Sequence, residues 1–345
     1  MSEIRFIAEW EPCECVMLTL PHKDTDWDYI LPEALDQYRR LVEAMTNANI
    51  RVALLCNDSG EASRLMSKCN KDYIRFIETD YNDTWIRDYG MLSVIRNGRL
   101  RALDFGFNAW GLKFAADKDN LVNLSLENKG YFHPHVYRNE RDFILEGGSV
   151  ESDGNGTIMT TSQCLLSQNR NGGKTKGEIN EILHERLGAD HVLWLDHGAL
   201  IGDDTDSHID TLARLAPNDT IVFTGTRNFD DPQFEELLAM RAQLTMLRTA
   251  EGNPYNLVEL PLPAPVLDED GNRLPATYSN YLVANENVFM PTYGQPDLDM
   301  LAMRTIKIAY PTHKVIGIDC VTLTKQHGSL HCATMQVPAG ILNLW

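Results

Sequence analysis

Short runs rich in β-branched and aromatic residues recur along the chain, separated by stretches with helical spacing. These runs predict strands over 52–56, 74–78, 91–95, 100–105, 157–160, 192–196, 220–223, 255–260, 281–285, 288–291 and 315–319. Helices are predicted over 31–47, 59–69, 176–187, 231–249 and 297–308. In the first of these, Leu35, Tyr38, Leu41, Val42 and Met45 fall at three- and four-residue intervals, a stripe that a helix buries against a core.

Strands and helices alternate throughout, so the fold class is α/β. No low-complexity linker divides the 345 residues, and a single domain over 1–345 is expected. The Gly/Asn-rich stretch 167–173 reads as a loop. The Pro-rich LPLPAP at 260–265, running on into DEDGNRLPAT, reads as a long exposed loop or hairpin. No G-x-G-x-x-G follows a strand and there is no P-loop, so dinucleotide binding is unsupported.

The chain carries 31 Lys+Arg against 49 Asp+Glu, a net charge of −18. A nucleic-acid or anionic-membrane surface needs a basic face, so neither partner is expected. No apolar run approaches the roughly 20 residues of a spanning helix, and MSEIRFIAEWEP lacks the pattern of a signal peptide. The seven cysteines, 13, 15, 56, 69, 164, 320 and 332, suggest no disulfide framework, and a reducing cytoplasm is expected. Cys13 and Cys15 form a C-x-C, but no second Cys/His pair is near enough to complete a metal site, so none is expected.

Four places look unlike ordinary packing: Trp85-Ile86-Arg87-Asp88, Glu146-Gly147-Gly148, His208-Ile209-Asp210 and His331-Cys332. Singly, each has an ordinary account. An Asp beside an Arg is usually an ion pair, a Glu before Gly-Gly caps a turn, H-x-D puts two polar groups on one face of a strand, and a cysteine is usually a small buried apolar residue. Together, a cysteine, a histidine and several carboxylates are the parts of a thiol nucleophile with a proton shuttle and a cradle for a cation. Glu146 lies 58 residues after Asp88, His208 62 after Glu146, and Cys332 124 after His208, twice the preceding step. A ring of five similar units with one step skipped would generate this spacing, although no repeated words accompany it.

The chain resembles the agmatine deiminase and bacterial peptidylarginine deiminase family of the guanidine-modifying, or pentein, superfamily. AEWEPCECVMLTLPH, WIRDYG, DFGFNAWG, EGGSVE, SHIDTLAR, YSNYLVANENVFMPTYG and GSLHCATMQVP stand in the family's order over essentially the whole chain. The resemblance implies a five-bladed α/β propeller with pseudo-fivefold symmetry. It implies Cys332 as nucleophile, His208 as general acid/base, Asp88 and Asp210 as the carboxylates holding a guanidinium, and Glu146 as the acid supporting the histidine and the guanidinium site. It implies no cofactor, a small cationic guanidine as substrate, and a homodimer.

Among guanidines, agmatine is favoured. Trp85 and Trp110 are candidates to line its aliphatic stem or stack on a cation, or are simply core aromatics. The expected products are N-carbamoylputrescine and ammonia, in putrescine synthesis. The alternatives are a deiminase of peptidyl-arginine or of another small guanidine, a non-catalytic binding propeller, and an amidino transferase. Two words depart from the common pattern: Ser207 stands where many members have Gly, and Ser329-Leu330 where many agmatine deiminases have Asn-Ile. Arg87 is read as a structural partner in its turn, and Asn280 and Asn285 as residues fixing a backbone turn.

Overall fold

The computed structural model of the protein describes residues 4–345. The first three residues of the N-terminal segment read above lie outside them. Five sheets are present among the described residues, and each contains the same three-strand unit. A first strand pairs antiparallel with a second, and the second pairs parallel with a third. The units are Leu92–Arg96, Arg99–Gly106 and Tyr137–Ile144; Val150–Ser152, Thr157–Thr161 and His191–Leu195; Ala213–Ala216, Thr220–Gly225 and Asn256–Pro261; and Leu282–Ala284, Asn287–Thr292 and Lys314–Asp319.

The fifth unit joins the two ends of the chain, pairing Met335–Val337 with Cys15–Thr19 and then Arg51–Cys56, with Ile74–Glu78 added at its edge. Ile4–Phe6 adds a strand to the first sheet.

A parallel pair cannot be closed by a tight turn and needs a crossover. In each unit that crossover contains a helix: Val122–Asn128, Lys176–Leu187, Phe234–Met246, Pro296–Thr305 and Leu31–Asn47. Leu31–Asn47 has the predicted bounds and carries Pro in its first turn, where the missing N–H costs nothing. Its Tyr38, Leu41, Val42 and Met45 are fully buried, each contributing about 1.5–3 kcal/mol. Leu35 is half-buried at the edge of the stripe.

Several sequence expectations shift. The predicted helix 59–69 is α-helical only over Ser59–Leu65 and tightens to a 3₁₀ turn at Met66–Lys68. The Gly/Asn-rich loop contains one helical turn, Gln168–Asn171, which buries Arg170. His208-Ile209-Asp210 is not a strand: His208 is extended and Ile209–Thr211 forms a 3₁₀ turn, so the two side chains do not share a strand face. The Pro-rich segment does close as a hairpin, with Leu267 bridging Arg273. No helix among the described residues is long and apolar enough to cross a membrane.

Candidate active site

The turn leading into the first strand of each unit supplies the polar groups of one cluster. Ile86–Tyr89 precedes Leu92–Arg96 and carries Asp88. Gly147–Ser149 follows Glu146 and precedes Val150–Ser152. Ile209–Thr211 precedes Ala213–Ala216, with His208 and Asp210. Asn280 stands before Leu282–Ala284, and Cys332 before Met335–Val337. Asn280 thus occupies the step that the sequence spacing left empty.

Gly148 marks the centre. A Cβ there would lie 2.7 Å from His208 Nδ1, 2.8 Å from Asp88 Oδ1 and 2.9 Å from Asp210 Oδ2. Only glycine lets these three side chains converge. Its own N–H donates to Asp88 Oδ1 at 2.9 Å. The other Asp88 oxygen accepts from the Trp110 indole at 2.9 Å. Burial raises the Asp88 carboxyl to about 6, although the His208 charge 3.6 Å away opposes this.

Burial would lower the His208 imidazole, but the carboxylates around it outweigh burial and hold it well above its ordinary value. The Cys164 thiol lies within 4.8 Å of both the ring and Glu146. Burial keeps that thiol protonated, so Asp88 and Glu146 supply the negative charge. Asp210 moves the other way. Burial would raise it, but His331, His208 and Arg214 bring it below its ordinary value. Both ring nitrogens of His208 and Oδ1 of Asp210 are buried without a hydrogen bond. The orphaned Asp210 Oδ1 fits a ligand that donates hydrogen bonds and carries positive charge, while the His208 nitrogens are donors left free to pass a proton.

Cys332 is 6% exposed. Its Sγ lies 3.2 Å from Asn280 Nδ2 and 3.8 Å from Asp210 Oδ2. Burial raises the thiol well above its ordinary value, and Asp210 and Asp88 push it further. Asn280 Oδ1 also accepts from the His331 N–H at 2.9 Å, so one amide fixes the backbone before the cysteine and touches its sulfur. The sequence reading gave Asn280 only a turn. Asn285 does fill that role, accepting from Cys13 N–H at 2.9 Å with φ +53°.

Cys332, Asp88, Trp85 and Trp110 line one cavity of about 410 Å³. Trp85 packs against Gly328, where any Cβ would collide with its ring. Trp110 sits in a left-handed turn: Ala109, Trp110, Gly111 and Leu112 all have positive φ, between +53° and +88°. Left-handed backbone costs about 1–2 kcal/mol per non-glycine residue. The Asn108 side chain offsets part of this by capping Gly111 N–H at 3.0 Å, and the turn delivers the indole to Asp88.

Glu146 sits fully buried behind His208, and Arg170 Nε donates to its two oxygens at 2.8 and 3.0 Å. Arg170 lies in the stretch 167–173 that the sequence predicts as a loop. Arg87 turns away from the cavity to Glu9 at 2.8 Å and to Gln336, which makes it a structural partner. Ser207 has φ +62°, a conformation that glycine adopts freely. Asp203 Oδ2 accepts from its N–H at 2.7 Å and secures it. The sequence singles out His331 beside Cys332 without a role for it, and offers no signal for Glu9, Cys164, Arg170 or Arg214. Cys13 and Cys15 lie buried at and just before the strand Cys15–Thr19, and burial raises Cys13 to about 12.

The chain is similar over its length to several known proteins. A Porphyromonas gingivalis structure provisionally assigned as an arginine deiminase is 43% identical, covering 99% of this chain and 100% of that one, with a TM-score of 0.93. A C. jejuni agmatine deiminase with substrate bound is 36% identical, covering 98% of this chain and 97% of that one, with a TM-score of 0.89. The agmatine deiminase of Stutzerimonas stutzeri is 31% identical over 356 residues, covering 96% of this chain and 95% of that one. The mixed α/β fold is that of these deiminase structures. The model of the Porphyromonas-type peptidyl-arginine deiminase family matches residues 5–338, and the chain belongs to that family.

Proposed function

We propose that the protein is an agmatine deiminase, hydrolysing the guanidinium of agmatine to N-carbamoylputrescine and ammonia. One observation carries the choice of substrate. The carboxylates lining the cavity are Asp26, Asp83, Asp88, Asp203 and Asp204, and no Lys or Arg is among its described lining residues. Free arginine needs a cation for its α-carboxylate, whereas agmatine ends in an ammonium that carboxylates attract.

The guanidinium enters charged, since its pKa is above about 12. Asp88 and Asp210 hold its edge and repay part of its desolvation. Its positive charge reverses the field that keeps Cys332 protonated, and the thiol gives its proton to solvent in the cavity, since His208 already carries one; an equivalent proton returns at the end of the cycle. The thiolate attacks the central carbon, forming a C–S bond and a neutral tetrahedral adduct. His208, already an imidazolium, protonates one nitrogen, and ammonia leaves with its C–N bond pair. Water then attacks the remaining thiouronium while neutral His208 takes its proton. The C–S bond breaks, the ureido product departs, and the released proton is taken up by ammonia or the cysteine. Glu146, paired with Arg170, keeps the His208 charge in place, and Trp85 and Trp110 line the path of the stem. The scheme calls for no metal or organic cofactor.

The same reading takes 1–345 as one catalytic domain, with its five sheets as blades around a pseudo-fivefold axis. The repeated strand unit and the convergence of its five lead-in turns support this. It also places the protein in the cytoplasm, as a homodimer, at a step of putrescine synthesis.

The test is product analysis with agmatine, free arginine and a blocked arginine peptide. Ammonia and N-carbamoylputrescine from agmatine are expected, and Cys332→Ala should abolish both. Citrullination of the peptide alone would overturn the choice of substrate.

A further inference from the structure

Behind the nucleophile runs a buried chain of charged groups with no step in the proposed reaction. His331 Nδ1 stands 2.7 Å from Asp210 Oδ2. On the other side of the ring, Nε2 stands 2.8 and 2.9 Å from the two oxygens of Glu9. An ionised carboxylate only accepts hydrogen bonds. Burial would raise Glu9, but Arg87, His331 and Arg214 hold it well below the carboxylate range, and Asp210 is lowered as described. An ionised Asp210 only accepts, so Nδ1 of His331 is the donor to its Oδ2.

Glu9 is well anchored for this purpose. It also accepts from Arg87 Nη1 at 2.8 Å, from Arg214 Nη2 and from Gln336 Nε2 at 3.0 Å. Arg214 Nη2 also lies 3.0 Å from His331 Nε2, within donating distance of that ring nitrogen. On the active-site side, His331 engages only Oδ2 of Asp210. Oδ1 stays buried and unpartnered.

We propose that His331 is a positioning residue: held against Glu9, it donates from Nδ1 to Asp210 Oδ2 and so orients that carboxylate with Oδ1 free for the incoming guanidinium. This rests on the deiminase reading above, in which Asp210 holds the substrate.

Steady-state kinetics with agmatine tests it. His331→Gln, which reaches toward Glu9 and leaves Asp210 Oδ2 unpaired, should raise KM at least about tenfold with a smaller change in kcat, as loss of a charge-assisted hydrogen bond implies. His331→Asn, which can keep the donor to Asp210, should recover part of that loss.

KM within about twofold of wild type in both variants would overturn the proposal. Wild-type enzyme that releases no ammonia from agmatine would instead overturn the functional reading.

Discussion

The amide nitrogen of Asn280 lies 3.2 Å from the sulfur of Cys332, although the two residues come from the lead-in turns of different sheets. This amide is the side-chain donor within hydrogen-bond distance of a sulfur that burial and two carboxylates hold protonated. It becomes a charge-assisted partner once the thiolate forms. Asn280→Ala should therefore lower kcat by about tenfold to a hundredfold. It should also slow alkylation of Cys332 by a neutral reagent in the presence of a non-reacting guanidinium. Equal alkylation rates in variant and wild type would refute this role.

Gly148 is surrounded by three groups that must all be correctly placed. Gly148→Ala puts a methyl group within 2.9 Å of His208, Asp88 and Asp210 and displaces at least one of them. The expected result is a loss of at least about a hundredfold in kcat/KM from misplaced groups. A crystal structure of the variant, compared with its kinetics, checks whether the lost activity follows the displaced side chains.

Asp88 links pH to activity. Its carboxyl is raised to about 6 by burial, so in the empty enzyme it gains a proton as pH falls through that value and can no longer hold a cation. kcat/KM for agmatine should fall about tenfold per pH unit below about 6. Trp110→Phe removes the indole donor that favours the ionised form, and this acid limb should move to higher pH. A limb that stays in place would show that another group controls it.

Two further carboxyls link pH to stability. Burial raises Asp83 to about 7 and Asp119 to about 8, and the Asp83 N–H donates to Asp119. Each holds a proton in the native protein at pH values where the unfolded chain has released it. The native state thus binds more protons, and stability falls as pH rises from about 4 to about 8. Thermal melts should show Tm dropping by several degrees between about pH 6 and pH 8.5. Asp83→Asn, which has no proton to lose, should flatten part of that slope.

The helix Leu31–Asn47 was legible because its apolar stripe spans several turns and Pro32 marks its start. The first strands Val150–Ser152, Ala213–Ala216 and Met335–Val337 were not, since three or four residues are too short to display alternation. Tyr137–Ile144 was missed because YRNERDFI is mostly polar and the strand lies at a sheet edge. In the site, Asp88, Glu146, His208, Asp210 and Cys332 stood out as residue types and as family words. Their partners did not. Glu9 meets His331 across 322 positions and Arg214 across 205, and no local pattern encodes such pairings. Asn280 was the exception. The doubled step between His208 and Cys332 pointed to a missing unit there, and an asparagine before a strand was too ordinary to fill it.

Since each sheet contributes one corner of the cluster, four sound sheets are not enough. On the roles proposed above, slackening of any one of them removes a tool the other four cannot replace, whether the nucleophile, its amide partner, the shuttle or a cradle oxygen. Turnover is therefore a census of all five sheets at once, and heat or denaturant that loosens a single seam will silence the chemistry while most of the secondary structure is still standing.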